Sequence, residues 1–370
     1  NCPGQLVIGG EKAAVERAAA LAREKGARRC LPLKVSGPFH TSLLAPAGDA
    51  LRERFQTVAF RPMEVPVLFN CLGDRMGPAD TIPALLERQV QSSVYMEDTI
   101  RRLAALGVDA VVEILDARIP VSSRNPEMDR LTGGKPRLLI LNKSDMADER
   151  TTQQWLHRLR RSGCAAVAMD CKSGKGVKQF HPALRELLKE QIAQWRAKGL
   201  LNRPIHVMVV GIPNVGKSSF INKMAGGKRA KVEDRPGVTR TKQWVKLGDG
   251  VEMLDTPGVL WPKFDDQQAA QRLAFTGAIN DDVLDIEALA MLLLEYLHEA
   301  YPQALTARYK INLPEGTEGR ILLEELGRKR GMLVPGGEVN TERAAITLLD
   351  EFRSGKLGRI TLEAPENEGA

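Results

Sequence analysis

Cysteine is scarce in this 370-residue chain, and the few present form no pattern. The five thiols, Cys2, Cys30, Cys71, Cys164 and Cys171, are odd in number, scattered and never arranged as CxxC. That spacing argues against a disulfide framework or a metal site and fits reduced thiols in a cytoplasmic protein. No run of about eighteen apolar residues occurs, so no membrane span is expected. A secretory signal is missing too: Asn1-Cys2-Pro3-Gly4 opens directly into strand-like sequence. Without an initiating Met, the chain is expected to be a fragment or a processed product. Internal repeats and low-complexity tracts are absent, which excludes repeat arrays.

The composition is that of a globular protein, 43% hydrophobic and 27% charged, with length for two or three domains. A formal net charge of +7 points to a polyanionic partner, although solvated Lys and Arg on an ordinary surface give the same excess.

Three textures divide the chain. Residues 1–108 alternate Ala-rich amphipathic helices (Glu11 to Lys25, Ala47 to Phe55, Met96 to Leu106) with short apolar strands at Leu6-Val7-Ile8 and Val65 to Phe69. Residues 109–278 repeat a strand, loop and helix, with strands at Val111 to Leu115, Leu138 to Leu141, Ala165 to Met169 and His206 to Val210. That alternation predicts a mainly parallel α/β sheet with ligands at the carboxyl ends of its strands. Leu187 to Arg203 reads as a helix and then a basic linker ending at Pro204. Residues 279–370 are helical in pattern, at Ile286 to Glu299, Ile321 to Arg330 and Thr341 to Arg353.

Chemistry is concentrated in the middle region. GIPNVGKS, Gly211 to Ser218, matches GxxxxGK[ST] and sits after an apolar strand and before a helix starting near Lys217. Backbone N–H groups of such a loop wrap phosphates, and the helix N-terminus adds partial positive charge. The expected cradle runs from Asn214 through Val215, Gly216, Lys217 and Ser218 to Ser219. Lys217 would reach the β- and γ-phosphates, and the Ser218 hydroxyl would ligate Mg²⁺. DTPG, Asp255 to Gly258, closes the strand Val251 to Leu254. Asp255 can hold Mg²⁺ there and the Gly258 N–H can meet the γ-phosphate, although DTPG alone is a common turn. NKSD, Asn142 to Asp145, ends the strand Leu138 to Leu141. Asp145 can accept from the guanine N1–H and exocyclic amine, Lys143 can lie along base and ribose, and Asn142 can brace the loops. A carboxylate placed for those donors rejects adenine, so the three motifs together specify GTP.

Their order is unusual, because Asn142 to Asp145 precede the phosphate loop, whereas Ras-like proteins place that loop first. The chain has been cut and rejoined through Leu187 to Pro204, as closely spaced surface termini allow. In these motifs and in DARIPVSSRNP (Asp116 to Pro126), DRPGVTR (Asp234 to Arg240), LDTPGVLWPK (Leu254 to Lys263), RLAFTGAI (Arg272 to Ile279) and GKLGRITLE (Gly355 to Glu363), residues from about 110 to 364 resemble the circularly permuted GTPases of the YlqF/RbgA type. The resemblance implies a P-loop GTPase sheet with a helical RNA-binding domain after it. It also implies GTP and GDP as ligands, the large ribosomal subunit precursor and its rRNA as partners, and neither membrane nor DNA.

By that resemblance Thr239 is the switch threonine that covers Mg²⁺ and the γ-phosphate, and Lys217, Thr239 and Gly258 form the catalytic group. Asp170-Cys171-Lys172 takes the place of the base-side SAK loop, with Cys171 and Lys172 near the nucleotide and Asp170 departing from the usual Ser. Asn214 resembles the asparagine of potassium-stimulated GTPases, and a plain loop residue is an equal alternative. Val259 and Leu260 stand where Ras-like enzymes place a water-orienting glutamine. The family assigns that task to an N-terminal PGHM histidine, a motif this chain lacks, so slow hydrolysis is expected. In the helical tail Arg328, Lys329, Arg330, Arg353, Lys356 and Arg359 are candidate phosphate contacts, with solvated helix faces the equal alternative.

Residues 1 to about 114 resemble something else, the C-terminal part of a malonyl-CoA:acyl-carrier-protein transacylase. NCPGQLVIGG (Asn1 to Gly10), LPLKVSGPFHTSLLAPA (Leu31 to Ala47) and RRLAALGVDAVVEI (Arg101 to Ile114) carry that likeness. His40 matches the family's catalytic base, yet no GHSxG nucleophile elbow occurs in the chain, so His40 is expected to be structural. An acyltransferase fragment is therefore the weaker reading, and this incomplete segment is expected to be the less stable part. Met96 to Leu106 is expected to replace a helix the GTPase has lost.

Overall fold

The computed structural model describes residues 6–27, 30, 32, 37–61, 63, 67–105, 107–126, 128–226, 245–255, 267–279, 281 and 284–365. The N-terminal part contains α1 (Lys12–Glu24), α2 (Ala45–Phe55), a two-residue antiparallel ladder of β1 (Leu68–Phe69) and β2 (Asp74–Arg75), α3 (Ile82–Gln91) and α4 (Met96–Ala105). α1 buries no residue, and the local core is Phe69, Cys71 and Leu85. Among the described residues, ten of the seventeen exposed large hydrophobics, from Leu6 to Tyr95, belong to this part.

One strand expectation fails here, and a second is met in part. Leu6 to Ile8 form no strand and lie exposed, because no described neighbour offers them a ladder. Of the expected strand Val65 to Phe69, Leu68 and Phe69 form β1, and residues 64–66 lie outside the described residues.

From residue 110 the chain builds a six-stranded sheet. Its strands are β3 (Ala110–Asp116), β4 (Arg137–Asn142), β5 (Ala165–Ala168), β6 (Ile205–Gly211), β7 (Val245–Gly248) and β8 (Val251–Asp255). They lie in the order β5-β4-β3-β6-β8-β7, parallel except for the β7–β8 hairpin. The central strands are apolar on both faces and buried, as a sheet covered by helices on both sides requires. Glu113 in the middle of β3 is one exception, and its carboxylate accepts from Asn125 N (2.9 Å) and pairs with Arg137 Nη1 (3.1 Å).

Helices α5 (Met128–Thr132), α6 (Glu149–Arg161), α7 (Phe180–Leu187), α8 (Lys189–Ala197), α9 (Lys217–Met224) and α10 (Gln267–Phe275) accompany the sheet. Asp148 caps α6 by accepting from Thr151 N at 2.8 Å. The join is α8 followed by turn and coil to Pro204, with the Arg203 guanidinium 3.9 Å from the Trp195 ring centroid and paired to Asp109 at 2.9 Å.

Four helices follow: α11 (Ile286–Ala300), α12 (Pro302–Tyr309), α13 (Gly319–Lys329) and α14 (Thr341–Arg353). One buried cluster runs from Val207, Val209 and Phe220 in the sheet layer to Leu293, Leu323 and Leu348 in these helices. The sequence pattern missed α12, which is short and begins on a proline. No described helix is long and apolar enough to cross a membrane.

Candidate functional site

Parallel pairing brings the carboxyl ends of β3, β4, β6 and β8 to one edge. The register sets Asp116 opposite Asn142, Ile114 opposite Gly211, and Val209 opposite Asp255. At the end of β6 the chain turns into α9 through Gly216, whose φ is +98°. Glycine is required there twice over, by the left-handed backbone and because a Cβ would overlap the Asn142 amide. Lys217 Nζ donates back to the carbonyls of Gly211 (3.0 Å) and Ile212 (3.2 Å), while Ser218 and Ser219 are exposed in the first turn of α9. Turn amides, a helix N-terminus and one ammonium make an anion cradle. Asn214, with φ of 58°, is exposed, and its Nδ2 donates to Gly277 O at 2.7 Å.

Asn142 joins the two halves. Its Nδ2 donates to Val215 O (2.8 Å), and its Oδ1 accepts from Cys171 N (3.1 Å). A second tie runs from Lys223 Nζ in α9 to Ser173 O at 3.0 Å. Asp145 is exposed on the turn after β4, and Lys143, with φ of 59°, sends Nζ to Asp116 Oδ2 at 2.9 Å.

After β5, Asp170 caps its own loop by accepting from Lys172 N (2.8 Å) and Ser173 N (3.1 Å). The Cys171 and Lys172 amides that the resemblance turns toward a base thus already have acceptors, and they meet a base only by sharing or releasing them. Burial, reinforced by the Asp170 charge, pushes the Cys171 thiol up to about 12, so this cysteine is inert packing.

Asp255 ends β8, whereas Thr239 and Gly258 lie outside the described residues. Among the described residues no group of three or more His, Cys, Asp or Glu could hold a metal ion. The Ser218 hydroxyl, exposed in the first turn of α9, is an oxygen donor of the kind a hard cation such as Mg²⁺ takes.

Most of the basic tail residues have protein partners. Arg353 donates from Nε to Phe275 O (3.1 Å) and from Nη2 to Ala274 O (2.8 Å), and it pairs with Asp281. Arg330 and Arg308 converge on Glu351, which also accepts from Tyr309 Oη. Arg328 and Lys329 pair with Glu324 and Glu325 along α13, and Arg359 pairs with Glu149. Lys356 is exposed and has no ion-pair partner among the described residues. Sequence reasoning gave no role to Asp116 and Arg118, which the structure buries beside Lys143; only the DARIP string signalled them.

A 50S ribosome-binding GTPase family model matches residues 206–305, from the phosphate-loop strand onward and without the base-reading motif, as a rewired chain order requires. Ribosome biogenesis GTPase A of Bacillus cereus is 45% identical over 263 residues, 71% of this chain and 88% of that protein. A GDP-bound structure of YlqF matches with TM-score 0.52 and 28% identity, covering 73% of this chain and all of that one. Malonyl CoA-acyl carrier protein transacylase from Clostridium perfringens is 28% identical over 44% of this chain and 48% of its own, at TM-score 0.31, too loose a superposition to establish a shared fold. With a permuted P-loop sheet, a guanine-type motif wired to its phosphate loop and this degree of identity, the chain belongs to the ribosome biogenesis GTPase A family.

Proposed function

We propose that this chain binds GTP and GDP at the shared edge of the sheet, hydrolyses GTP there, and acts in assembly of the large ribosomal subunit. Its nucleotide state would set its affinity for rRNA and the pre-ribosome. The observation that carries this reading is Asn142, hydrogen-bonded to Val215 of the phosphate loop and to Cys171 of the base-side loop. One side chain thereby holds three segments in the arrangement a guanine nucleotide needs.

In this reading Asp145 accepts from the guanine N1–H and amine, Lys143 lies along the base, and Cys171 and Lys172 border it. The backbone of Asn214, Val215, Gly216 and Ser219 wraps the phosphates, Lys217 bridges the β- and γ-phosphates, and the Gly258 amide meets the γ-phosphate. Ser218 and Asp255, with Thr239, would hold Mg²⁺, which supplies charge neutralisation at the phosphates. Potassium enters only through Asn214, whose Nδ2 is used by Gly277, leaving Oδ1 as the donor for a cation. We assign residues 1–108 to a transacylase-like segment, 109–278 to the GTPase domain and 279–370 to the RNA-contacting helices, in a cytoplasmic protein without a DNA role.

The deciding experiment is Asp145→Asn. An amide matches the altered base edge of xanthosine triphosphate, so GTP affinity should fall by about 100-fold or more while affinity for xanthosine triphosphate rises. Equal GTP affinity in the two proteins removes Asp145 from the base site. Sedimentation with large-subunit precursors tests the ribosomal role: a non-hydrolysable GTP analogue and GDP should differ, and salt should weaken association.

A further inference from the structure

The DARIP string has no part in the scheme above, yet its first and third residues are among the most buried charges in the molecule. Asp116 and Arg118 are each about 1% exposed. Asp116 Oδ1 accepts from Arg118 N (3.1 Å) and Nε (2.9 Å), and Oδ2 accepts from Arg118 Nη2 (2.8 Å) and Lys143 Nζ (2.9 Å). Burial pushes this carboxyl up, but the Arg118 and Lys143 cations outweigh it and hold the group well below the usual carboxylate range. It therefore stays an anion and keeps its grip on Lys143.

Lys143 needs that grip. Its backbone sits in the left-handed region that long side chains avoid, and its ammonium would otherwise explore solvent. Arg118 in turn is held by the end of the chain. Its Nη1 donates to Phe352 O (3.2 Å), its guanidinium lies 5.1 Å from the centroid of the Phe352 ring, and its carbonyl accepts from Leu362 N (2.8 Å). The next residue of α14, Arg353, holds the carbonyls of Ala274 and Phe275 and lies beside Gly277, the acceptor for Asn214, where an added Cβ would meet its Nε at 3.2 Å. The base side and the phosphate side of the site thus converge on adjacent residues at the end of α14.

We propose that Asp116 and Arg118 are positioning residues for guanine-nucleotide binding: Asp116 sets the Lys143 ammonium, and Arg118 couples that setting to the end of α14. This rests on the assignment of Lys143 to the base. Nucleotide occupancy and the packing of α14 then share one coupling free energy, felt equally from either end.

The test is a double-mutant cycle on GTP affinity, read with a fluorescent analogue. Arg118→Lys keeps the buried charge but loses the reach to Phe352 O, and it should weaken binding about 3–10-fold. In a Lys143→Ala background the same change should have almost no effect. Phe352→Leu, which keeps an apolar side chain at α14, serves as the second variant and should weaken binding in the same conditional way. Hydrogen exchange supplies a readout independent of affinity: GTP should slow exchange of the 354–356 amides in the parent and lose that effect in Arg118→Lys. Equal losses in both Lys143 backgrounds, or exchange at 354–356 indifferent to GTP in the parent, overturns the proposal. Asp145→Asn is run beside them. If it leaves the preference for GTP over xanthosine triphosphate unchanged, the base-site reading fails first; if it reverses the preference while the cycle shows no coupling, only the present proposal fails.

Discussion

Asn142 Nδ2 lies 2.8 Å from Val215 O, a hydrogen bond across 73 residues between the end of β4 and the phosphate loop. The same amide's oxygen accepts from Cys171 N, so this one side chain ties all three loops. Asn142→Ala leaves a buried carbonyl and a buried N–H without partners, each costing about 1–3 kcal/mol. We expect global stability to fall by about 2 kcal/mol and GTP affinity by about 10–100-fold, measured by urea unfolding and by nucleotide titration. A variant that keeps its GTP affinity would show the loops to be organised by something other than Asn142.

The helical region carries a pH-dependent tie at Glu351. The hydrogen bond from Arg308, helped by Tyr309 and Arg330 against the opposing effect of burial, holds this carboxyl down at about 2, from an ordinary 4.5. A carboxylate lowered by folding stabilises fully above its unfolded value and loses that contribution as pH falls through its folded value. Glu351→Gln should therefore be less stable than the parent at pH 7 by about 2–3 kcal/mol. The gap should close between pH 4.5 and 2. Urea unfolding at several pH values reads this directly, and a gap independent of pH would remove Glu351 from the account. Asp116 is shifted in the same direction and adds to the acid sensitivity of the parent.

Two cations that read from sequence as candidate RNA contacts, Arg330 and Arg353, hold protein together instead. Arg353→Ala removes bonds to two carbonyls and to Asp281 and should lower stability by about 2–4 kcal/mol. Lys356→Ala should leave stability within about 0.5 kcal/mol and reduce the salt dependence of RNA binding by about one counterion. Calorimetry together with RNA titrations at several salt concentrations separates the two. A large salt effect from Arg353→Ala with unchanged stability would reverse this assignment.

The strands that build the site were legible because parallel, doubly covered strands are largely apolar runs, continuous in Val207 to Val210 and broken only by Glu113 in Val111 to Leu115. The phosphate loop and NKSD were legible because their chemistry is local, with each loop's ligands lying within a few residues. Arg118 was not, because its burial depends on Phe352, 234 residues away, which no local pattern contains. Leu6 to Ile8 misled for the opposite reason: an apolar triplet has strand propensity anywhere, but a strand needs a neighbour. Arg353 closes a helix whose limits, Thr341 and Arg353, were read correctly, yet its role depends on the carbonyls at the end of α10.

Turnover should be slow while nucleotide binding is retained. Phosphoryl transfer is accelerated mostly by positioning and charge stabilisation, so the lysine and magnesium framework should retain nucleotide affinity. The sequence offers no recognisable group to orient the attacking water. Val259 and Leu260 are aliphatic and lie outside the described residues, and no PGHM segment occurs in the sequence. His40 offers no replacement: its Nδ1 is hydrogen-bonded to Gln89 O at 3.0 Å, in the N-terminal part of the fold. An orienting group typically contributes about 10²–10⁴-fold, so single-turnover hydrolysis should be slower by that order than in a chain whose first 109 residues are replaced by a PGHM-containing N-terminus. GTP and GDP affinities should be nearly equal in the two proteins, and His40→Ala should leave the slow rate unchanged. Equal rates in parent and replacement, or a large loss on His40→Ala, would mean that this chain orients its water through a group not identified above.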